Sequence, residues 1–366
     1  MSQTHRIVAL PGDGVGPEIV DAARLVMGAV STRFGMTFEV DERLIGGCAI
    51  DAHGVPLQAE DLDACRAADA VLLGAVGGPR WDDPAAKHRP EQGLLALRKG
   101  MGLYANLRPV KVLRSLIDAS PVKSDRLEGV DFVVVRELTG GLYFGRPRRR
   151  WQERRGRAAV DTLIYREHEV ARIVELAFDL AATRSGRVAS VDKANVIDTS
   201  RLWRTIVTET ASRRPEVAVE HVLVDSMAMR LITSPRSLDV VVTENLFGDI
   251  LTDEASVLAG SIGVLPSASI GAARGPRDAR RRGVFEPIHG SAPDIAGEGK
   301  VNPIGTILSL ALMLRMALGE EVAAAAVEAA VEATLDDGVR TPDIAAALTP
   351  VSTRDLAAAV AERVSR

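Results

Sequence analysis

The sequence predicts an α/β protein with a large, mostly parallel sheet, an antiparallel portion and flanking helices. Three observations carry that expectation. Short apolar runs, "AVLLGAV" (70–76), "VDFVVVREL" (130–138), "VASVDKANV" (188–196) and "LDVVVTENL" (238–246), alternate with amphipathic stretches, the rhythm of buried strands separated by helices. The chain has 366 residues, 46% of them apolar, and no low-complexity tract, which predicts a sizeable core and about two domains. The opening "RIVALPGDGVGPEIVDAARLVM" (6–27) passes from an apolar run through glycines into a helix-like pattern.

That first turn invites comparison with a dinucleotide-binding fingerprint. Gly12, Gly14 and Gly16 are present, but a G-x-G-x-x-G pattern requires its third glycine at position 17, where Pro17 stands. The fingerprint therefore fails, and Glu39 and Asp41 downstream carry little weight as ribose-binding acids without it. From the residues alone, a turn between strand and helix is the simpler reading.

Composition narrows the function class. The formal net charge is −4, so no global field recruits nucleic acid or an acidic membrane. Cys48 and Cys65 have neither metal-type spacing nor the numbers for a disulfide framework, which fits a reducing cytoplasm. The N-terminus runs into its first strand without the apolar segment of a signal peptide. "ILSLALMLRMALG" (307–319) is short for a membrane span and carries Arg315, so it reads as a core helix. "RPRRRWQERRGRAAVDTLIY" (146–165) breaks the strand–helix rhythm and reads as an arm. Its seven arginines between Arg146 and Arg157 have no aromatic company beyond Trp151, favouring a solvated or subunit-contacting arm over nucleic-acid binding. "AARGPRDARRRG" (272–283) reads as a surface loop from its glycine and proline. A Gly/Pro-rich loop and alanine-rich helices follow to the end, with no internal repeat.

Three groups of residues carry candidate chemistry. "FGDILTDEAS" (247–256) sets Asp249 and Asp253 four apart, so on a helix both carboxylates share one face at a Cβ separation of about 5–6 Å. That is either a solvated acidic face or, in this apolar company, a seat for a hard divalent cation that relieves the repulsion. Lys193 leaves a buried-type strand between Asp192 and Ala194; burial pushes a lysine pKa down toward a useful base, unless the residue is simply paired. Arg98, Arg108 and Arg136 each offer a planar fork for a carboxylate, or an ordinary ion pair. Arg136 ends an apolar strand, and seven residues later Tyr143 follows two glycines, offering a phenolic proton if placed over a substrate.

Together these stretches resemble the β-decarboxylating dehydrogenases of the isocitrate/isopropylmalate family. The resemblance runs nearly end to end through "LPGDGVGPE", "GAVGGPRWD", "GLLALRKGMGLYANLRP", "RELTGGLYFG", "SVDKANV", "FGDILTDEAS", "GSIGVLPSAS" and "EPIHGSAPDIAG", in family order. It implies that family's two-domain fold with a large mixed sheet, distinct from a standard Rossmann fold. Residues 1–103 plus 260–366 would form the cofactor-binding domain, and 104–259 the substrate, metal and dimerisation domain with an arm near 142–165. It places the first glycine turn in the active-site cleft near the nicotinamide.

By the same resemblance, Arg98, Arg108 and Arg136 match the arginines that hold malate carboxylates. Asp225, Asp249 and Asp253 match the acids around a magnesium or manganese ion, with Asp225 also touching substrate and contributed by the partner of a homodimer. Lys193, also from the partner, matches the general base, and Tyr143 the acid. His289, Gly290, Ser291, Ala292, Pro293, Asp294, Ile295 and Asn302 match the cofactor loop, with Asp294 and Ile295 determining the choice of NAD. Glu91 matches the glutamate near substrate and nicotinamide ribose.

Leu94 and Leu95 precede Arg98 by four and three residues and favour an alkyl substituent, whereas isocitrate relatives carry serine and asparagine where this chain has Gln92 and Leu94. The implied activity is NAD-dependent oxidative decarboxylation of 3-isopropylmalate in leucine biosynthesis; the alternative is another 2-alkylmalate, tartrate or an isocitrate-like acid. A catalytically silent subunit would lack at least one of Lys193, Tyr143, Asp249 and Asp253, and all are present. Two departures stand out: Ser226 follows Asp225, and the 272–283 segment is longer than is usual in the family.

Overall fold

A computed structural model describes residues 4–83, 86–275 and 278–366. It divides the chain into two compact units, Met1–Leu103 with Leu113–Pro121 and Ala259–Arg366, and Tyr104–Val112 with Val122–Leu258.

The first unit begins with β1 (Thr4–Gly12), α1 (Gly16–Phe34), β2 (Thr37–Glu42), α2 (Gly47–His53), α3 (Ala59–Ala67), β3 (Ala70–Ala75) and α4 (Pro90–Gly100). The chain then builds the second unit: β4 (Ala105–Lys111), the single turn α5 (Ser124–Leu127), β5 (Asp131–Glu137), β6 (Arg149–Glu153), β7 (Gly156–Val160), α6 (Glu167–Ala182), β8 (Arg187–Asp192), α7 (Asp198–Arg213), β9 (Ala218–Leu223), α8 (Val224–Thr233), β10 (Val240–Thr243) and α9 (Asn245–Ser256). It returns to the first unit with β11 (Pro266–Gly275), β12 (Asp278–Pro287), α10 (Ile304–Met313), α11 (Glu321–Asp336) and α12 (Thr353–Ser365).

Strands of the first unit run in the order β2-β1-β3-β12-β11, parallel except for the β11–β12 pair. Those of the second run β4-β5-β10-β8-β9, with β4 antiparallel to β5 and the rest parallel. Every residue of β3 and β10 is buried, which is why these strands read as continuous apolar runs and not as alternations. Helix α10, the most apolar of the chain, packs on α1, α11, β11 and β12. Its continuation widens into a π-turn at Leu314–Leu318, where Arg315 reaches Glu328 at 2.6 Å and Glu321 at 2.8 Å.

The segment 272–283, expected as a loop, is instead the far end of the β11–β12 hairpin, with Ala273 opposite Arg281 and Gly275 opposite Asp278 across two register shifts; residues 276–277 lie outside the described residues. Three of its arginines have acceptors that the composition could not reveal: Arg274 donates to Asp69 O at 3.0 Å, Arg281 to Gly271 O at 2.9 Å, and Arg280 pairs with Asp278 at 2.8 Å. The arginine-rich stretch after Tyr143 forms β6 and β7, a two-stranded antiparallel sheet of its own.

The opening turn explains why the dinucleotide fingerprint fails. Pro17 sits in the first turn of α1, where its fixed φ suits the helix and its missing N–H costs nothing. Gly14 has φ +57°, and a Cβ there would lie 2.0 Å from Ser291 O, while Val15 N donates to that same oxygen at 2.9 Å. The turn is therefore a seat for the "HGSAPD" loop. Two acids in it act as clamps. Buried Asp13 accepts from Gly47 N at 2.7 Å, Cys48 N at 2.8 Å and Gly77 N at 2.8 Å; Glu18 accepts from Gly297 N and Gly299 N. Asp13→Ala strands three amide donors, a loss of roughly 2–4 kcal/mol. Thermal unfolding of that variant should show a fall in Tm of roughly 5–10 °C, and an unchanged Tm would exclude the clamp.

Candidate active site

In the second unit, strand register brings the arginines to one place. Arg136 on β5 lies opposite Asn106 on β4, and Arg108 is two residues beyond Asn106, on the same face of β4. Both arginines are buried, a state that guanidinium groups hold only with partners. Arg136 sends Nη1 to Asp249 Oδ1 at 2.5 Å, and Nε and Nη2 to Asn245 Oδ1 at 3.1 and 2.9 Å. Arg108 sends Nε to Asn106 Oδ1 at 2.8 Å and Nη1 to Thr252 Oγ1 at 2.5 Å, with Asp253 Oδ1 at 3.4 Å and Asp249 Oδ1 at 3.8 Å. All of these acceptors except Asn106 sit on α9, whose first turn is capped by the Glu244 carboxylate accepting from Phe247 N at 2.9 Å.

Tyr143, on a short 3-10 turn after two glycines, donates its hydroxyl to Asp249 Oδ2 at 2.8 Å. Burial, reinforced by the Asp249 carboxylate, pushes its pKa up to about 12, so the phenol keeps its proton at neutral pH. Asp249 shows the opposite balance. Burial opposes its charge most strongly, but the Arg136 guanidinium, the Tyr143 hydroxyl and Arg108 together hold its carboxyl below the usual range. For Asp253, burial outweighs Arg108, and the neighbouring Asp249 charge adds to it, so its pKa rises.

One helical turn therefore carries two carboxylates, one unwillingly charged. A hard divalent cation with oxygen ligands suits that arrangement, because it removes the repulsion and favours ionised Asp253. Among the described residues no group of three or more His, Cys, Asp or Glu side chains comes together to hold a metal, so within one chain the third expected acid, Asp225, is not beside the other two. Asp225 opens α8 and receives Lys193 Nζ at 2.5 Å. That hydrogen bond is the main reason its pKa is lowered. Lys193 follows the end of β8, its backbone N–H held by Ser200 Oγ at 3.0 Å.

In the first unit, α4 places Glu91, Leu94, Leu95 and Arg98 at i, i+3, i+4 and i+7, one face of the helix. Arg98 is buried and pairs with Glu286 at 2.7 Å, while its Nε is buried without a hydrogen-bond partner. Leu94 packs on the cluster around Ile45 and Leu97. Glu91 is exposed, next to Gly77.

Of the expected cofactor loop, His289 Nε2 is buried without a partner, while Nδ1 faces Gly290 O at 2.8 Å. Burial lowers its pKa, leaving a neutral imidazole. Ser291 is buried against the opening turn, Gly290, Pro293 and Asp294 are exposed, and Ala292 and Ile295 pack on Val15, Ile19 and Val301. Asn302 is buried and fixed at both ends, donating to Asp343 Oδ2 at 3.0 Å and accepting from Ile304 N at 3.0 Å.

Asn245 and Thr252 escape sequence reasoning because the arginines they hold are 109 and 144 residues away, and Asn106 because its bond to Arg108, two residues on, forms only once a strand puts both on one face; the only local signal for Asn245 is its place at the strand-to-helix junction. Asn245→Ala removes the acceptor of two Arg136 donors. Thermal or denaturant unfolding should register a loss of roughly 2–4 kcal/mol, and a wild-type midpoint would mean that Arg136 does not depend on it.

Residues 6–360 match the isocitrate/isopropylmalate dehydrogenase family. The 3-isopropylmalate dehydrogenase of Anaeromyxobacter dehalogenans is 59% identical over 360 residues, covering 98% of this chain and 99% of the relative. That of Bacillus subtilis is 54% identical over 341 residues, 93% of this chain and 92% of the relative. Among solved structures, isocitrate dehydrogenase from Methylococcus capsulatus superposes with a TM-score of 0.85 at 35% identity, covering 99% of this chain and 100% of the other. A β-decarboxylating dehydrogenase from Thermococcus kodakarensis gives 0.78 at 36% identity over 98% and 96%. The chain belongs to the isocitrate/isopropylmalate dehydrogenase family, whose members are β-decarboxylating dehydrogenases.

Proposed function

We propose that the protein oxidatively decarboxylates 3-isopropylmalate to 4-methyl-2-oxopentanoate and CO2, with NAD as hydride acceptor and Mg²⁺ or Mn²⁺ bound, in the cytoplasmic synthesis of leucine. The observation that carries the choice of substrate is the face of α4, where Leu94 and Leu95 accompany Arg98. Two leucines offer an alkyl group apolar surface and offer a third carboxylate nothing. The names of relatives 54–59% identical over most of their length support the same substrate, and two free cysteines suit a reducing compartment.

Arg98, Arg108 and Arg136 grip the two carboxylates of the substrate. Lys193 accepts the proton of the C2 hydroxyl as the C2 hydride departs. The C3 carboxylate then leaves as CO2, and Tyr143, kept protonated by its buried site, returns a proton to C3. Asp249 and Asp253, with the partner subunit's Asp225, would hold the divalent cation, which would supply Lewis-acid polarisation of the C2 oxygen. Asp294 would accept the adenosine ribose hydroxyls of NAD and repel a 2′-phosphate, within the loop made of His289, Gly290, Ser291, Ala292, Pro293, Ile295 and Asn302. Glu91 lies where substrate and nicotinamide meet.

Two copies complete each site. Met229 and Ile250 are 63% and 60% exposed, and Ile232 and Val257 are also exposed, on or at the ends of the mutually packed α8 and α9; an apolar surface of this kind is costly in a monomer. The two-stranded hairpin β6–β7 is likewise a marginal structure alone and suits a contact between copies.

Purified protein with Mg²⁺ and NAD or NADP, assayed against 3-isopropylmalate, tartrate, isocitrate and other 2-alkylmalates, tests the substrate directly; preference for a tricarboxylate or for NADP sinks this reading. Lys193→Ala should lower kcat by roughly 10²–10⁴-fold. Shared sites make a stronger forecast. Lys193→Ala and Asp249→Asn chains are each inactive alone, but unfolded together and reassembled they regain about a quarter of wild-type activity, since about half the dimers are mixed and each mixed dimer has one intact site. No recovery on mixing would rule out sites built from two chains.

A further inference from the structure

Tyr143 is separated by the β6–β7 hairpin from a second tyrosine, Tyr165, which the proposed chemistry does not use. Tyr165 is buried, and its ring lies under the two glycines that precede Tyr143: a Cβ on Gly140 would fall 2.6 Å from the ring, and one on Gly141 2.7 Å from the hydroxyl. The backbone makes the same connection, Gly141 N donating to Ile164 O at 3.0 Å.

The hydroxyl of Tyr165 also reaches the start of α9. It accepts from Asn245 N at 2.9 Å and stands 3.2 Å from Glu137 Oε2 and 3.4 Å from Glu244 Oε2, both buried acids. Those acids are tied down in turn. Glu137 accepts from Thr139 N at 2.9 Å and Gly140 N at 2.8 Å, and Glu244 caps α9. Asn245 also donates from Nδ2 to Gly140 O at 3.2 Å.

These contacts close a ring. Tyr143 donates to Asp249; Asp249 receives Arg136; Arg136 is held by Asn245; Asn245 is held by Tyr165; and Tyr165 supports Gly141, two residues before Tyr143. We infer that Tyr165 is a positioning residue, fixing the hydroxyl of Tyr143 relative to Asp249 and Arg136 by bracing the glycine turn against the first turn of α9. This deepens the proposed function and rests on Tyr143 as the proton donor. Removing the Tyr165 hydroxyl leaves its ring under the glycines but releases Asn245 N and the two acids, so the donor loses register without losing its pKa-setting neighbours.

The experiment compares wild type, Tyr165→Phe, Tyr143→Phe and the double variant in steady-state assays with 3-isopropylmalate, NAD and Mg²⁺. Tyr165→Phe should lower kcat by roughly 10-fold with KM within about 3-fold. The double variant should be no slower than Tyr143→Phe, because a brace is useless once its donor is gone. The chain has three tyrosines, so 3-fluorotyrosine labelling gives three fluorine resonances. The one that Tyr143→Phe deletes should shift in Tyr165→Phe.

A wild-type kcat in Tyr165→Phe, losses that multiply in the double variant, or an unmoved Tyr143 resonance would each overturn the inference. If wild-type protein does not turn over 3-isopropylmalate, the proposed function fails, while the fluorine shift still decides whether Tyr165 sets the place of Tyr143. Should Tyr165→Phe fail to fold, Glu137→Gln tests the same brace from its other side, and an unmoved Tyr143 resonance there counts equally against it.

Discussion

The second unit depends on the problem of keeping two guanidinium groups out of water. Arg108 and Arg136 have side chains 10% and 4% exposed, and a charge so buried is tolerable only when anions and oriented dipoles replace the lost hydration. Helix α9 supplies much of the replacement: Asp249 and Asn245 hold Arg136, Thr252 and Asp253 lie against Arg108, and Asp249 also accepts the Tyr143 hydroxyl. The position of Asp249 on α9 follows from β10, which is wholly buried and hands the chain directly to the helix through Glu244. A strand too apolar to be anything but interior thus fixes where α9 begins, and the side chains of α9 fix the arginines. Under the proposed function, a substrate carboxylate would meet cations already oriented, so little of the binding free energy would be lost to arranging them.

Much of this was legible in the amino-acid order, for identifiable reasons. The four-residue spacing of Asp249 and Asp253 is a helical repeat, and α9 places them as that repeat requires. Arg136 at the end of a valine run had to lie at a strand end, and it does. The expected face of α4 follows from the same arithmetic. Periodicity is a local property and survives folding wherever burial and propensity agree.

What was not legible is what long-range pairing decides. The 272–283 segment has the composition of a loop and the backbone of a hairpin, because ladder hydrogen bonds and remote acceptors such as Asp69 outweigh its glycine and its charges. Arg98 shows the same limit: its partner Glu286 lies 188 residues away. Asp13 and Glu18, inside a motif that looks like a nucleotide-binding turn, spend their carboxylates on amides up to 281 residues distant. Nothing in their neighbours announces that work. The Pro17 that spoils the fingerprint is, by contrast, a local signal with a local reason.

The hairpin β6–β7 leaves the fold and rejoins it through two narrow roots. At one, a Cβ on Gly145 would sit 1.7 Å from Thr162 O; at the other, Gly141 N is bonded to Ile164 O. The tip around Arg154 and Arg155 is exposed. The spacing from Gly141 to Gly145 and from Thr162 to Tyr165 is locked, because neither root leaves room for an added side chain or a shifted register.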